Sequence, residues 1–164
     1  MGDAKRIKQM DRRNTCLHES AHSVVRQLLI GNLGEVGISK GSASYAYPVE
    51  RKPFDEMSRE ELAKVAVVTA AGMYAEEALC SRVGDQKHAV ADDEQQWEGV
   101  QQIGGFSEEE MAAFQEEAAD MVSTHERALK KVARELDRRN KLTGEEVSKL
   151  IELVEGERSV SLEA

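Results

Sequence analysis

Apolar residues recur at intervals of three and four through Leu17, Ala21, Val24, Val25, Leu28 and Leu29, which is the period of one helical face. That pattern predicts an amphipathic helix over Asp11 to Ile30, closed by Gly31 and Asn32. From Leu33 to Val49 the period shortens. The pieces GEVGIS and SASYAYPV, interrupted by Gly41 and ended by Pro48 and Pro53, predict a small antiparallel β-ribbon. Ser58-Arg59-Glu60-Glu61 has the form of a capping box, and Leu62, Val65, Ala66, Thr69, Ala70, Met73 and Ala78 carry a second long helix through Leu79. Its centre, AVVTAAGMYA, is rich in small side chains, so a neighbouring helix can approach it closely. Cys80 to Ala91 is predicted to be a loop, followed by a short helix from Asp93 to about Ile103 that Gly104 and Gly105 stop. Ser107-Glu108-Glu109-Glu110 caps a long helix reaching about Arg139, and Thr143-Gly144-Glu145-Glu146 caps the last one. The fold class expected is mostly α, with one small ribbon after the first helix.

Composition narrows the possibilities. A chain of 164 residues is long enough for one domain with a real core and too short for two of ordinary size, so residues 1–164 are expected to form one. The formal net charge of -9 and a pI near 5.0 argue against a nucleic-acid binder, because phosphate affinity needs clustered cations. A local basic stretch, AKRIKQMDRR near the start, is expected to be a solvated first helix or arm. Cys16 and Cys80 stand alone, without a CxxC spacing or a Cys-dense framework, and are expected to be reduced core thiols. No apolar run approaches the roughly 18 to 20 residues that span a bilayer, and the start lacks the apolar block of a signal peptide. A cytoplasmic location is expected.

The first helix carries the candidate chemistry. His18-Glu19-Ser20-Ala21-His22 places two imidazoles one turn apart on the same helical face, where both can reach one zinc ion. Glu19 points about a quarter-turn away. This offset suits a general base that works beside the metal without ligating it. The surroundings of the histidines are small or apolar, so both rings are expected against the core, where an unpaired imidazole is costly. A catalytic zinc takes a third protein ligand, and the candidates are Glu76, Glu77, Asp92, Asp93 and His88. His88 and His125 are otherwise expected to be ordinary loop or surface residues.

The order of HESAH, VGISKGSASYAY, VAVVTAAGMYAEEAL, AVADDEQQW and KKVARELDRRNKLTGEEVSKLI resembles the zinc-peptidase domain of the FtsH family of AAA+ membrane proteases. The resemblance covers about residues 14–152. It implies a mostly helical peptidase fold, zinc as cofactor, His18 and His22 as ligands, Glu19 as base and an aspartate as third ligand. In that family the glutamates matching Glu76 and Glu77 support the site without binding metal. The family's Ala-Gly between the histidines is here Ser20-Ala21, and its Gly-Ala-x-x-Asp loop is altered, which leaves the third ligand at Asp93 or Asp92. Helical phase prefers Asp93, whose neighbours one and two turns on are Trp97 and Val100, whereas Asp92 would bring Gln96 and Gly99 to the same face.

The function expected is a zinc metalloendopeptidase that hydrolyses peptide bonds of unfolded or flexible polypeptides with a metal-activated water. The alternative is a weak or inactive interaction domain on the same scaffold, binding a partner through its acidic helices. The ATPase module and membrane segments of the family have no counterpart in the sequence given, so a polypeptide substrate is expected, with a second copy or a separate partner protein left open.

Overall fold

The computed structural model describes residues 2–38, 44–80 and 87–163, with side chains described for 11–38, 44–80 and 92–156. Six α-helices and a three-stranded antiparallel sheet make up the described chain. Helix α1 (Gly2–Leu29) begins nine residues before the expected start at Asp11, so the basic stretch is the first part of the same helix. It ends where Gly31, at φ +78°, turns its amide back to the carbonyl of Arg26, the left-handed close that glycine permits.

Strands β1 (Leu33–Ile38) and β2 (Ser44–Pro48) form the expected ribbon. A third strand, β3 (Lys141–Thr143), pairs with the other side of β1 and sets fully buried Leu142 opposite Val36. Three residues are too few to show a period, which is why the pattern alone gave no strand there. The strand order is β2-β1-β3, so β2 is an edge.

Helix α2 (Arg59–Leu79) is the central post. Ser58 caps it by accepting from the Glu61 amide, and its run of Val and Ala is buried against α1 on one side and α4 on another. Helix α3 (Lys87–Gly104) starts six residues earlier than expected, so Asp93 lies inside a helix; positions 81–86 of the predicted loop lie outside the described residues. The predicted single helix from Ser107 to Arg139 is two helices, α4 (Glu108–Thr124) and α5 (Glu126–Arg139), separated at His125. No glycine or proline marks that break, and buried residues continue the helical period through Val122, Ala128, Leu129 and Val132. The break is tertiary in origin, since α4 packs on α2 whereas α5 packs on α1. His125 sits at the corner, its Nδ1 paired with Glu155 of α6 (Gly144–Glu163), so it is a junction residue and not a free surface histidine.

Both further caps form in full. Ser107 and Glu110 exchange hydrogen bonds at the start of α4, and Thr143 and Glu146 do so at the start of α6. The main core gathers Val24, Val25, Val36, Val67, Leu129, Leu136 and Val147, and a smaller cluster around Phe106 and Met111 seals the α2, α3 and α4 side. Arg12 of α1 reaches Asp137 and Asn140, tying the first helix to the end of α5. Among the described residues no helix is long and apolar enough to cross a membrane.

Candidate metal centre

Helical phase puts His18 and His22 on the face of α1 that packs on α2, and both are buried. Asp93 of α3 is also buried, at 8% exposure, while Asp92 beside it is exposed on the wall of a cleft. On the same side of α3 as Asp93, Val100 is fully buried and Trp97 packs onto the core. Asp93 Oδ2 lies 2.8 Å from His18 Nε2 and 3.1 Å from His22 Nε2, and the two Nε2 atoms are 3.1 Å apart. Three donor atoms from two helices therefore converge on one point.

The far sides of the rings fix which nitrogens are bare. His22 Nδ1 lies 2.8 Å from the carbonyl oxygen of Val68, which can only accept, so this nitrogen carries the proton and Nε2 presents a lone pair. His18 Nδ1 lies 3.1 Å from Glu76 Oε2. The alignment is not that of a hydrogen bond, and neither atom has another partner among the described residues, yet the carboxylate favours a proton on that nitrogen too. Two imidazole lone pairs and one carboxylate oxygen facing each other at these distances repel unless a cation sits among them. A proton can serve. Burial pulls the His18 imidazole down, but the neighbouring carboxylates of Asp93 and Glu76 outweigh it and carry it up to about 10. Burial likewise raises the Asp93 carboxyl, and the two imidazoles outweigh that and hold it well below its ordinary value.

A metal ion is the other cation that fits. Ligands at ~2.0 to 2.1 Å from a tetrahedral zinc stand about 3.3 Å apart, so the triangle needs an outward movement of only a few tenths of an ångström. The donor types, two nitrogens and one carboxylate oxygen, match a three-ligand zinc set, and the Val68 carbonyl and Glu76 carboxylate stand where outer hydrogen-bond partners orient histidine ligands.

Glu19 is buried beside the triangle and outside it. Its Oε1 accepts from the Ser44 hydroxyl at 2.8 Å, which joins the base candidate to the first residue of β2. Glu77, expected to support the site with Glu76, is exposed and makes no hydrogen bond or ion pair among the described residues, because one step along α2 rotates it by about 100° away from His18. The side chain of His88 lies outside the described residues.

Two contributors escaped the sequence reading. Gly72 of α2 lies against the His22 ring so closely that a Cβ there would clash with its Cε1 and Nε2 atoms. The one glycine in the small-residue run of α2 was the available signal. Ser44 gave none, because the approach of β2 to α1 is a long-range property. Histidines, aspartate and Glu19 open onto a cleft of ≈ 1230 Å³ walled by β2, the 49–53 segment, Phe54, Met57 and the faces of α2 and α3. Cys16 and Cys80 are both free, and burial pushes each thiol up to about 12, so neither is a nucleophile. Compared with known proteins, the chain matches no family model and no curated sequence, and the reading of this centre rests on its geometry.

Proposed function

We propose that this chain is a zinc-dependent peptidase acting on unfolded or flexible polypeptides, in a reducing cytoplasm where Cys16 and Cys80 stay thiols. The observation that carries the reading is the convergence of three atoms able to ligate a metal, His18 Nε2, His22 Nε2 and Asp93 Oδ2, next to a buried glutamate that is not one of them. The FtsH-like order of motifs supports the same assignment. A zinc ion held by His18, His22 and Asp93 would supply Lewis acidity, able to polarise a carbonyl and to bring the pKa of water toward ~7.

The chain's own groups do the rest. Glu19, held by Ser44, takes the proton of the attacking water and passes it to the departing amine. Edge strand β2 turns unpaired backbone groups toward the cleft, where an extended polypeptide can add as a further strand with little sequence preference. Phe54, Met57 and Val68 give an apolar surface for a substrate side chain. The Val68 carbonyl and Glu76 keep both imidazoles in the tautomer that the metal needs.

Glu19→Gln separates this reading from an interaction domain on the same scaffold, since both residues are good helix formers of nearly equal size. The variant is expected to keep zinc and fold while cleavage of a denatured, casein-like protein falls ~10² to 10⁴-fold. A wild type that cuts neither an unfolded chain nor a peptide library with zinc present contradicts the proposal.

A further inference from the structure

The metal-binding face of α1 continues one turn beyond His22 to Arg26, which lines the same cleft. Arg26 is half-buried, and of its five N–H donors one meets an acceptor among the described residues, Nη1 to Asn32 Oδ1 at 3.2 Å. No carboxylate of the described residues lies within ion-pair reach of it; of the other cations lining the cleft, Lys52 is held by Glu61, Arg51 lies over the Tyr47 ring, and Lys64 likewise makes no ion pair among the described residues. Burial draws the guanidinium below its ordinary value, and no neighbouring anion offsets that. A charge withdrawn from water without a counter-charge is costly, and the cost is recovered when an anion arrives.

Register places that anion on the substrate. Strand β2 begins at Ser44, which touches Glu19, and ends at Pro48 next to Val49, whose amide donates to the Asn32 carbonyl. It therefore runs beside α1 from the metal centre toward Arg26. Four residues of α1 advance about 6 Å and each residue of an extended strand about 3.3 Å. A polypeptide lying along β2 thus brings a group about two residues from the cut bond to Arg26.

We infer that Arg26 is a carboxylate-binding subsite of the cleft, selecting polypeptides that present an acidic side chain or their terminal carboxylate about two residues from the bond to be cut. This rests on the peptidase reading for the placement of the peptide. A cation in the last turn of α1 also complements the helix dipole, but that role changes stability and gives no preference among peptides.

The test measures binding without turnover, by fluorescence anisotropy of labelled decapeptides on zinc-loaded Glu19→Gln. Peptides come in pairs with Glu or Gln at each scanned position, and with a free or amidated C-terminus. At one position, or at the free terminus, the anionic member is expected to bind at least ~10-fold tighter, as charge-assisted hydrogen bonds allow. A preference lost with Glu→Gln in the peptide identifies the side chain as the source, and one lost on amidation identifies the terminus. Adding Arg26→Gln should abolish the preference, and Arg26→Lys should keep part of it, since lysine retains the charge without the bidentate fork. Circular dichroism checks the fold, and Arg26→Lys carries the test if Arg26→Gln does not fold. Equal binding of both members of every pair, no binding by any peptide, or a preference that survives Arg26→Gln overturns the subsite. Failure of the peptidase reading shows separately, as absence of cleavage by wild type.

Discussion

Where α5 meets α6 and β3, the interior is hydrocarbon: Leu129, Leu136, Leu142 and Val147 are fully buried, and polar groups stay at the rim in capping boxes and exposed ion pairs. Where α1 meets α2 and Asp93 of α3 reaches in, the interior instead holds His18, Glu19, His22 and Asp93. The two regions share helix α1 and differ in what burial does for them. In the first, each buried side chain adds transfer and packing energy whatever its exact partner. In the second, each buried group is costly alone and is tolerated only through a specific neighbour, so the region leans on the first for stability.

Two substitutions sharpen that contrast. Leu136→Ala empties a fully buried position on α5 and is expected to lower unfolding free energy by about 2 to 5 kcal/mol, measured by urea titration. Zinc bound per folded molecule should not change. A variant that folds well yet loses zinc would mean that the two regions are coupled in a way their packing does not suggest. Gly72→Ala should do the opposite. Helix propensity alone makes alanine better than glycine by roughly 0.5 to 1 kcal/mol in a helix interior. The added Cβ, however, occupies the place of the His22 ring, whose other side is held by Val68. The ring can swing away without unfolding α2, so the expected outcome is near-normal melting with zinc affinity reduced by ~10 to 100-fold or more, read by competition with a chelator. Unchanged affinity would show that His22 is not held where the metal needs it.

The same contrast explains what the sequence made legible. The three caps at Ser58, Ser107 and Thr143 and the apolar periods of α1 and α2 are local signals, and the helices they mark are present. The break at His125 and strand β3 depend on which helix or strand lies opposite, and no local signal records that. At the candidate centre, His18, Glu19 and His22 are legible from spacing within one helix, and Asp93 was preferred over Asp92 from the phase of Trp97 and Val100 within another. Glu77 was grouped with Glu76 because sequence proximity does not say which of two adjacent glutamates turns inward. Ser44, the Val68 carbonyl and the space above Gly72 belong to contacts between elements, and only the assembled fold displays them.

The central claim is that the inward-facing donors of α1 and α3 hold one zinc ion, and metal analysis of the dialysed protein tests it most directly. Wild type and Asp92→Ala are expected to carry about one zinc per chain, as three-ligand sites do, whereas His22→Ala and Asp93→Ala, each folded by circular dichroism, should lose it. A wild type that binds no zinc, or an Asp93→Ala variant that retains it while Asp92→Ala releases it, would contradict the account.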